Sequence, residues 1–280
     1  MATGRLNDGG RRVALIVSYA GGAYAGFQRQ PGQATIQSCL EEALEGLAGA
    51  PIPLRGAGRT DAGVHAAGQV VDAWLPAAVR LPAARLPQAL APRLPPDIRV
   101  AAGFEVAAAF DARRGALSKR YRYLIWRGLA PSPFFRDYAW THSGPLAVDA
   151  MAVAAGAIAG RHDFRAFAGA ARPVQDAHRT VWDCSVWNDG PWLGIEVEAD
   201  GFLYRMVRAI VGTLVEIGRG GRAPSDMAEL CAGAPRSAAG PSAPPQGLCL
   251  LWVRYPQAAG LPAPGPAWPL PPGPPPDPGR

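Results

Sequence analysis

The segment Asn188-Asp189-Gly190 restricts the possible folds of this chain more than any other feature. It lies between two stretches, 179–187 and 192–199, that are rich in β-branched and aromatic residues. Asn, Asp and Gly tolerate the positive φ angles that tight hairpin turns require, so the segment predicts a turn between two antiparallel strands. A chain that contains such a hairpin is not expected to form an all-parallel sheet.

Hydrophobic periodicity places helices and strands in two blocks along the chain. The first block is predicted to contain strands and helices at 13–19, 36–47, 69–74, 81–90 and 98–106. The second is predicted to contain the hairpin together with elements at 120–126, 146–158, 203–217 and 248–255. Each block mixes strands with helices and has a helix after its first strand. This order favours an α+β fold with two similar halves, although the sequence itself shows no repeat.

Composition suggests where the domains begin and end. Residues 1–10 are polar and rich in glycine, so we expect a flexible N-terminus. An N-terminal α+β subdomain over 11–106 and a C-terminal α+β subdomain over 107–256 follow. Residues 257–280 are rich in proline and are predicted to form a disordered tail.

The charge balance favours an anionic partner. The chain has 28 Lys and Arg residues against 22 Asp and Glu residues, a formal net charge of +6. This is compatible with binding to a nucleic acid. Lys119 is the only lysine, however, which points to a bias in genomic base composition, so the arginines alone are not evidence of phosphate binding. No apolar run approaches the roughly 20 residues that span a bilayer, and no secretory signal is visible, so we expect a cytoplasmic protein without membrane contact.

The four cysteines and four histidines are scattered along the sequence. No two cysteines have the CxxC spacing of a zinc or redox motif, and no two histidines have HxH or HxxxH spacing. We therefore expect no metal site, and we expect free thiols in a reducing compartment.

Residues 56–66 form a glycine-rich loop that contains the strongest candidate for a catalytic side chain. Gly56, Gly58 and Gly63 predict tight turns with little side-chain cover, and Asp61 lies between them. A carboxylate on such a loop can be presented to a substrate, or it can simply cap a turn. The loop lacks the Gly-Lys-Ser/Thr ending of a phosphate-binding loop, and its glycines miss the GxGxxG spacing of a dinucleotide site.

The loop sequence GRTDAGVHA, followed by GQV, resembles the catalytic signature of the tRNA pseudouridine synthase A family. Four further segments resemble the same family in the same order over about residues 13–256. They are YAGFQRQ at 24–30, FDAR with RYRY at 110–123, the F…MVRxIVG pattern at 202–212, and the GL…YP strand at 247–256. Only GRTDAGVHA is highly specific by itself, but the ordered set argues strongly against chance.

This resemblance implies two similar α+β subdomains that share a continuous, mainly antiparallel mixed sheet with helices on one side. It also implies a homodimer that binds tRNA and isomerises uridine to pseudouridine at positions 38, 39 and 40 of the anticodon stem-loop. The reaction exchanges no electrons or groups with a cofactor, so no cofactor is expected. One carboxylate suffices for it, whereas a hydrolytic glycosidase usually has two.

The resemblance also implies roles for individual residues. It makes Asp61 the catalytic nucleophile, Arg208 its basic partner, and Tyr121 a contact to the target base. We add three candidates for contact with the RNA: Arg59, Arg29 and Arg205. Other cations that could contact the RNA backbone are Arg113, Lys119, Arg120, Arg161 and Arg165.

From the residues alone, ordinary structural roles remain open for the same side chains. Tyr121 could be a half-buried strand aromatic, and Arg59 could brace the loop. Arg208 is three residues from Arg205, which predicts that both lie on the solvated side of a helix.

The chain departs from the family pattern at a few positions. Phe27 stands where tryptophan is usual, and the others are Ala20, Arg114, Tyr204 and Arg205. We expect these departures to affect contacts with RNA rather than the reaction.

Two other functions remain as alternatives, an RNA-binding protein of the same fold without catalysis and an unrelated small-molecule enzyme. The latter would show no tRNA binding and no salt dependence of affinity.

Overall fold

The computed structural model of the chain describes residues 9–130, 133–169 and 175–264. Its strands are β1 (Arg11–Tyr19), β2 (Leu54–Gly56), β3 (His65–Leu75), β4 (Ile98–Val106), β5 (Ser118–Arg127), β6 (Trp140–His142), β7 (Gly160–Asp163), β8 (His178–Asp189), β9 (Trp192–Ala199) and β10 (Leu248–Arg254). Its α-helices are α1 (Ile36–Ala48), α2 (Leu86–Leu90), α3 (Val148–Gly156), α4 (Met206–Gly218) and α5 (Asp226–Leu230). The strands belong to a mixed sheet, so the predicted α+β class is confirmed.

Two compact units divide the chain, and the second is inserted in the sequence of the first. The first unit comprises the described residues of Met1–Leu117 and Leu250–Ala267. The second comprises those of Ser118–Cys249. The final strand therefore returns to the unit in which the chain began.

In the first unit the strand order is β4-β1-β3-β10, with β2 alongside β3. β1 pairs antiparallel with both β3 and β4, and most of its side chains are buried. No residue of β3 is exposed, which explains why its sequence lacks the polar–apolar alternation of a half-buried strand.

Helix α1 begins at the residue that the sequence predicted. The Thr35 hydroxyl accepts a hydrogen bond from the Ser38 N–H at 3.2 Å and forms a capping box with it. The helix ends at Gly49, whose φ of +71° is the usual left-handed helix terminus. The predicted apolar face is the one that packs inward, and its buried residues are Ile36, Leu40, Ala43 and Leu44.

In the second unit the strand order is β5-β9-β8-β7, with β6 parallel to the end of β5. β9 is buried along its whole length between two antiparallel neighbours, β5 and β8. Helix α3 packs against β8 and against α4. Helix α4 is buried at every residue except Glu216, which makes it the central helix of this unit.

The predicted hairpin is present, but its turn is displaced along the chain. Asp189 pairs with Trp192 in the β8–β9 ladder, so the connecting loop is Gly190-Pro191 rather than 188–190. Gly190 has φ of +54°, a conformation that glycine adopts at little cost. The antiparallel topology was predicted correctly and the turn residues were not.

Three predicted helices are shorter in the structure. The helix predicted at 146–158 is α3, which spans only Val148–Gly156. The segment 81–90 contains a 3-10 turn and then only the five-residue α2, because Pro82 and Pro87 lack the N–H groups that a longer helix needs. The helix predicted at 203–217 begins at Met206, because Arg205 has a left-handed backbone with φ of +60°. Strands β2, β6 and β7 and helix α5 were not predicted.

The predicted flexible termini lie mostly outside the described residues. The described part of the proline-rich segment contains a 3-10 turn at Gln257–Ala259. Across the described ranges, no helix combines the length and apolar character needed to cross a membrane.

Candidate active site

The predicted loop at 56–66 lies between β2 and β3 of the first unit, and both strands extend into it. The Ala57 N–H donates to the Val70 carbonyl at 2.8 Å. The Gln69 side-chain amide donates to the Gly58 carbonyl at 3.0 Å. These bonds attach the first part of the loop to β3, so its conformation is fixed despite its glycines.

The turn that follows β1 packs directly against this loop. The Phe27 N–H donates to the Thr60 carbonyl at 3.0 Å. Gly26 has φ of +98°, and a Cβ there would lie 2.8 Å from the same carbonyl oxygen. The Gly21 N–H donates to Nδ1 of the buried His65 at 3.1 Å. The turn at Gly21 and the family-like YAGFQRQ segment therefore hold the loop and the start of β3 through close contacts that leave little space for side chains.

Asp61 lies where the loop turns towards solvent. Thr60 is 6% exposed, Asp61 is partly exposed and Ala62 is exposed. The main-chain oxygen of Asp61 accepts a hydrogen bond from the Val64 N–H at 3.1 Å, and Gly63 takes φ of +79° within that turn. The backbone is thus held on both sides of Asp61 while the residue itself stays accessible.

The two predicted RNA-binding arginines of the first unit have different surroundings. Arg59 is exposed, and within the part of the chain that the structure describes its guanidinium has no hydrogen-bond or ion-pair partner. Arg29 is also exposed, but its Nε lies 2.8 Å from Oε2 of Glu41. A phosphate group would have to compete with Glu41 for Arg29, whereas Arg59 is available.

The departure from the family pattern at Phe27 lies beneath the loop. Phe27 is 2% exposed, and a Cβ on Gly56 would come within 2.6 Å of its ring. The Phe27 ring also lies 6.4 Å from the ring of Tyr19. The expectation that this departure affects RNA contacts is therefore wrong for Phe27, because the side chain packs inside the first unit.

Tyr121 lies on β5 of the second unit and is 7% exposed. Its ring meets the ring of Phe202 edge-on, with the centroids 5.0 Å apart. Tyr123, on the same face, is fully buried, and its hydroxyl donates to the Pro244 carbonyl at 2.8 Å. Burial raises the pKa of Tyr123 well above its ordinary value. The predicted alternation along β5 is confirmed.

The opposite face of β5 carries a network of ion pairs. Arg120 contacts three carboxylates, those of Asp183, Glu196 and Glu198, at 2.6–3.4 Å. Arg122 also pairs with Glu196, at 2.7 Å. An RNA phosphate would have to compete with these three carboxylates for Arg120, and contact of Arg120 with the RNA backbone stays a prediction.

Arg208 does not lie on a solvated helix face. It is 8% exposed, and its Nε donates to the Ala243 carbonyl at 2.7 Å. Arg205 is exposed, and its guanidinium carbon lies 5.1 Å from the centroid of the Tyr204 ring. The prediction that Arg205 and Arg208 share one side of a helix is wrong, because α4 begins after Arg205 and is buried almost all round.

Asp72, on β3, has a carboxylate that bonds to β1, to β2 and to residue 112, and sequence analysis missed it. The residue is 1% exposed, and its Oδ2 accepts hydrogen bonds from Arg12 at 2.5 Å and Arg55 at 2.9 Å. Its Oδ1 accepts the Ala112 N–H at 2.9 Å. The sequence did contain an indication, since a single acid within a buried apolar strand must be paired.

A metal ion would need several His, Cys, Asp or Glu side chains close together. Among the described residues, no three such side chains form a possible metal site. All four cysteines are free thiols. Burial raises the pKa of Cys231 to about 12, so this thiol is not prepared for nucleophilic chemistry.

The fold and the loop together define a class of protein, an α+β enzyme that presents one carboxylate on a backbone-supported loop. A family model described as tRNA pseudouridine synthase matches residues 15–113 and 154–256. The chain therefore belongs to the tRNA pseudouridine synthase family, and it is an isomerase.

Similar proteins from three organisms are all named tRNA pseudouridine synthase A. The one from Moorella thermoacetica is 46% identical over 245 residues, which cover 87% of this chain and 99% of that protein. The one from Syntrophomonas wolfei is 43% identical over 246 residues, covering 88% and 98%. The one from Geobacter sp. is 42% identical over 248 residues, covering 88% and 100%. This chain thus aligns with nearly the full length of each.

Proposed function

We propose that this enzyme isomerises uridine to pseudouridine in the anticodon stem-loop of tRNA, at positions 38, 39 and 40, with Asp61 as its nucleophile and without a cofactor. The observation that carries this proposal is the placement of Asp61, an accessible residue between the buried Thr60 and a closed turn. Membership of the tRNA pseudouridine synthase family supports the reaction and the class of substrate.

The chemistry requires little beyond one carboxylate and a closed pocket. The bond between N1 of the base and C1′ of the ribose breaks, and a bond between C5 and C1′ forms. The proton on C5 is lost and N1 gains one, so atoms and electrons balance without a co-reactant. A carboxylate such as Asp61 can attack the nucleotide and hold it while the detached base turns. Exclusion of water prevents hydrolysis at that stage.

The target uridine must leave its helical stack to reach the carboxylate, at a cost of a few kcal/mol. We propose that Tyr121 contacts the extruded base. Tyr121 is only 7% exposed, and its ring is held edge-on by Phe202. It therefore offers the base a small contact in a fixed position rather than a broad surface for stacking. This favours a role in orienting the base.

Arg208 is proposed to favour the ionised form of the catalytic carboxylate, as a nearby cation does. Its burial and its hydrogen bond to the Ala243 carbonyl support this, because they fix the position of the charge.

Three arginines are proposed to bind the RNA: Arg59, Arg29 and Arg205. Of these, Arg59 is best supported because it is exposed and unpaired within the described residues.

Two broader properties are also proposed. The enzyme acts as a homodimer, which light scattering would test against the 29.3 kDa mass of one chain. It works in the cytoplasm, and its four free cysteines are compatible with a reducing compartment.

The decisive experiment uses tRNA that carries tritium at C5 of uridine, because isomerisation releases that label. We expect the wild-type enzyme to release tritium and Asp61→Asn to release none, with tRNA affinity unchanged within a few-fold. Asp189→Asn, which alters an exposed acid at the hairpin, is the matched control and should remain active. Release by Asp61→Asn would refute the role of Asp61.

The same assay separates the alternatives. A binding protein without catalysis would retain tRNA affinity, yet its wild-type form would release no tritium. A small-molecule enzyme would show neither property. Mapping of pseudouridine along the product tRNA tests the proposed positions, and modification confined to other sites would overturn them.

A further inference from the structure

We propose that Tyr19 and Thr60 form a positioning pair that holds the backbone of Asp61 in its reactive geometry. This inference rests on the proposed function of Asp61 as the nucleophile. It assigns a role to two buried residues, Tyr19 at the end of β1 and Thr60 within the loop, whose hydroxyl groups bond to each other.

The pair is a buried hydrogen bond between two side chains. The Tyr19 hydroxyl and Oγ1 of Thr60 lie 2.9 Å apart, and either oxygen can be the donor. Tyr19 is 1% exposed and is the last residue of β1, the strand that pairs with both β3 and β4. Thr60 is therefore attached through its side chain to a rigid part of the first unit.

A second attachment acts on the main chain of the same residue. The Thr60 carbonyl accepts the Phe27 N–H at 3.0 Å. On that side the backbone is in close contact, because a Cβ on Gly26 would lie 3.2 Å from the carbonyl carbon of Asp61. Thr60 is thus held at both its side chain and its carbonyl, immediately before the catalytic residue.

This double attachment bears directly on the position of the carboxylate. Thr60 and Asp61 share a planar peptide bond, so a fixed Thr60 carbonyl restricts the Cα of Asp61. A displacement of about 1 Å in a reacting group can cost about 100-fold in rate. Because the two hydroxyl groups bond to each other, the pair acts on the reaction through the backbone of Asp61, as positioning residues do.

The test separates turnover from binding in four variants: Thr60→Val, Thr60→Ser, Tyr19→Phe and the double variant Tyr19→Phe/Thr60→Val. Thr60→Val removes the hydroxyl at nearly constant volume, and we expect kcat to fall about tenfold with tRNA affinity within about twofold. Thr60→Ser keeps the hydroxyl and should retain most of the activity. The double variant should lose no more activity than Thr60→Val alone, since one hydrogen bond is removed in both.

Tyr255→Phe supplies the matched control. Tyr255 belongs to the same unit, and its hydroxyl donates to the Ala112 carbonyl at 2.5 Å, away from the loop. We expect Tyr255→Phe to lower the melting temperature without changing kcat. The pair would be overturned if Thr60→Val kept its kcat, or if Tyr255→Phe lost kcat to the same extent.

The outcomes also distinguish this inference from the proposed function. An inactive Asp61→Asn together with a fully active Thr60→Val would defeat the positioning pair alone. An active Asp61→Asn would defeat both proposals. If Thr60→Val failed to fold, Tyr19→Phe would decide the question by the same comparison of kcat with affinity.

Discussion

The loop around Asp61 and the segment around Arg208 hold their central residues in opposite ways. In the loop, hydrogen bonds fix the main chain before and after Asp61, and the residue remains accessible. At Arg208 the side chain itself is buried and donates to a backbone carbonyl. The proposed nucleophile is thus held through its backbone, whereas the proposed supporting cation is held through its own side chain.

This difference predicts where each region is sensitive. In the loop, a substitution should be harmful when the added atoms occupy space that the backbone needs, even at a glycine. In the segment around Arg208, a substitution should be harmful because the side chain and its hydrogen bonds are lost. Substitutions at Gly21 and Arg208 test this contrast, and a third, at Asp111, tests a charge that lies outside both regions.

Gly21→Ala should have the largest effect. A Cβ at Gly21 would lie 2.0 Å from the carbonyl oxygen of Val64, so the turn and the loop must separate. We expect a loss of about 3 kcal/mol in the free energy of unfolding and a fall of more than about tenfold in kcat. Urea unfolding and the tritium-release assay measure both quantities.

Gly22→Ala is the control for this substitution, because a Cβ at Gly22 meets no atom within 4 Å. It should leave stability and kcat near the wild-type values. Equal effects of the two substitutions would mean that backbone contact does not hold the loop.

Arg208→Met should have an intermediate effect on stability. Methionine fills a similar volume, but the Ala243 carbonyl loses the donor that lies 2.7 Å away. We expect about 2 kcal/mol of destabilisation together with a loss of turnover. The exposed Arg205→Met should change stability by less than about 0.5 kcal/mol. A stability loss in Arg205→Met as large as in Arg208→Met would contradict the contrast between a buried and an exposed cation.

Asp111→Asn should have the smallest effect, and that effect should depend on pH. The Arg114 N–H, the Arg113 N–H and the Arg55 guanidinium lower the pKa of Asp111 below its ordinary value of 3.8. A lowered pKa in the folded state adds stability above the unfolded-state pKa, and this is lost as pH falls through the folded-state pKa. The free energy of unfolding of the wild type should therefore exceed that of Asp111→Asn by up to about 1 kcal/mol near neutral pH.

This difference in the free energy of unfolding between wild type and Asp111→Asn should shrink as the pH falls below about 4, because protonated Asp111 resembles asparagine. Urea unfolding at a series of pH values measures it. A gap that stayed constant down to about pH 2 would show that the ionised carboxylate is not its source.

How much the sequence could predict depended on how local each feature is. The α1 helix was placed correctly because Thr35 and the apolar spacing that follows it are local properties. The loop was recognised because GRTDAGVHA is a contiguous motif. The support beneath it was missed, since the Tyr19–Thr60 bond joins residues 41 positions apart.

Errors arose where tertiary packing replaced a local rule. The spacing of Arg208 from Arg205 predicted that both lie on one solvated helix face, the structural alternative to a role beside Asp61, but α4 is buried almost all round and starts one residue after Arg205. The sequence around Arg120 likewise gave no indication of the three carboxylates from other strands that pair with it. A cation in a sequence shows its charge but not which acids the fold brings to it.

The return of the chain to its first unit has a consequence during synthesis. Leu251 of β10 lies against β3, where a Cβ on Gly68 would come within 2.6 Å of its carbonyl oxygen. Tyr255 reaches the Ala112 carbonyl as well. A ribosome must therefore translate the whole inserted unit before the sheet that carries the Asp61 loop can gain its final strand. Nascent chains that stall before residue 248 would lack that strand, so synthesis of β10 sets the earliest time at which this sheet can be complete.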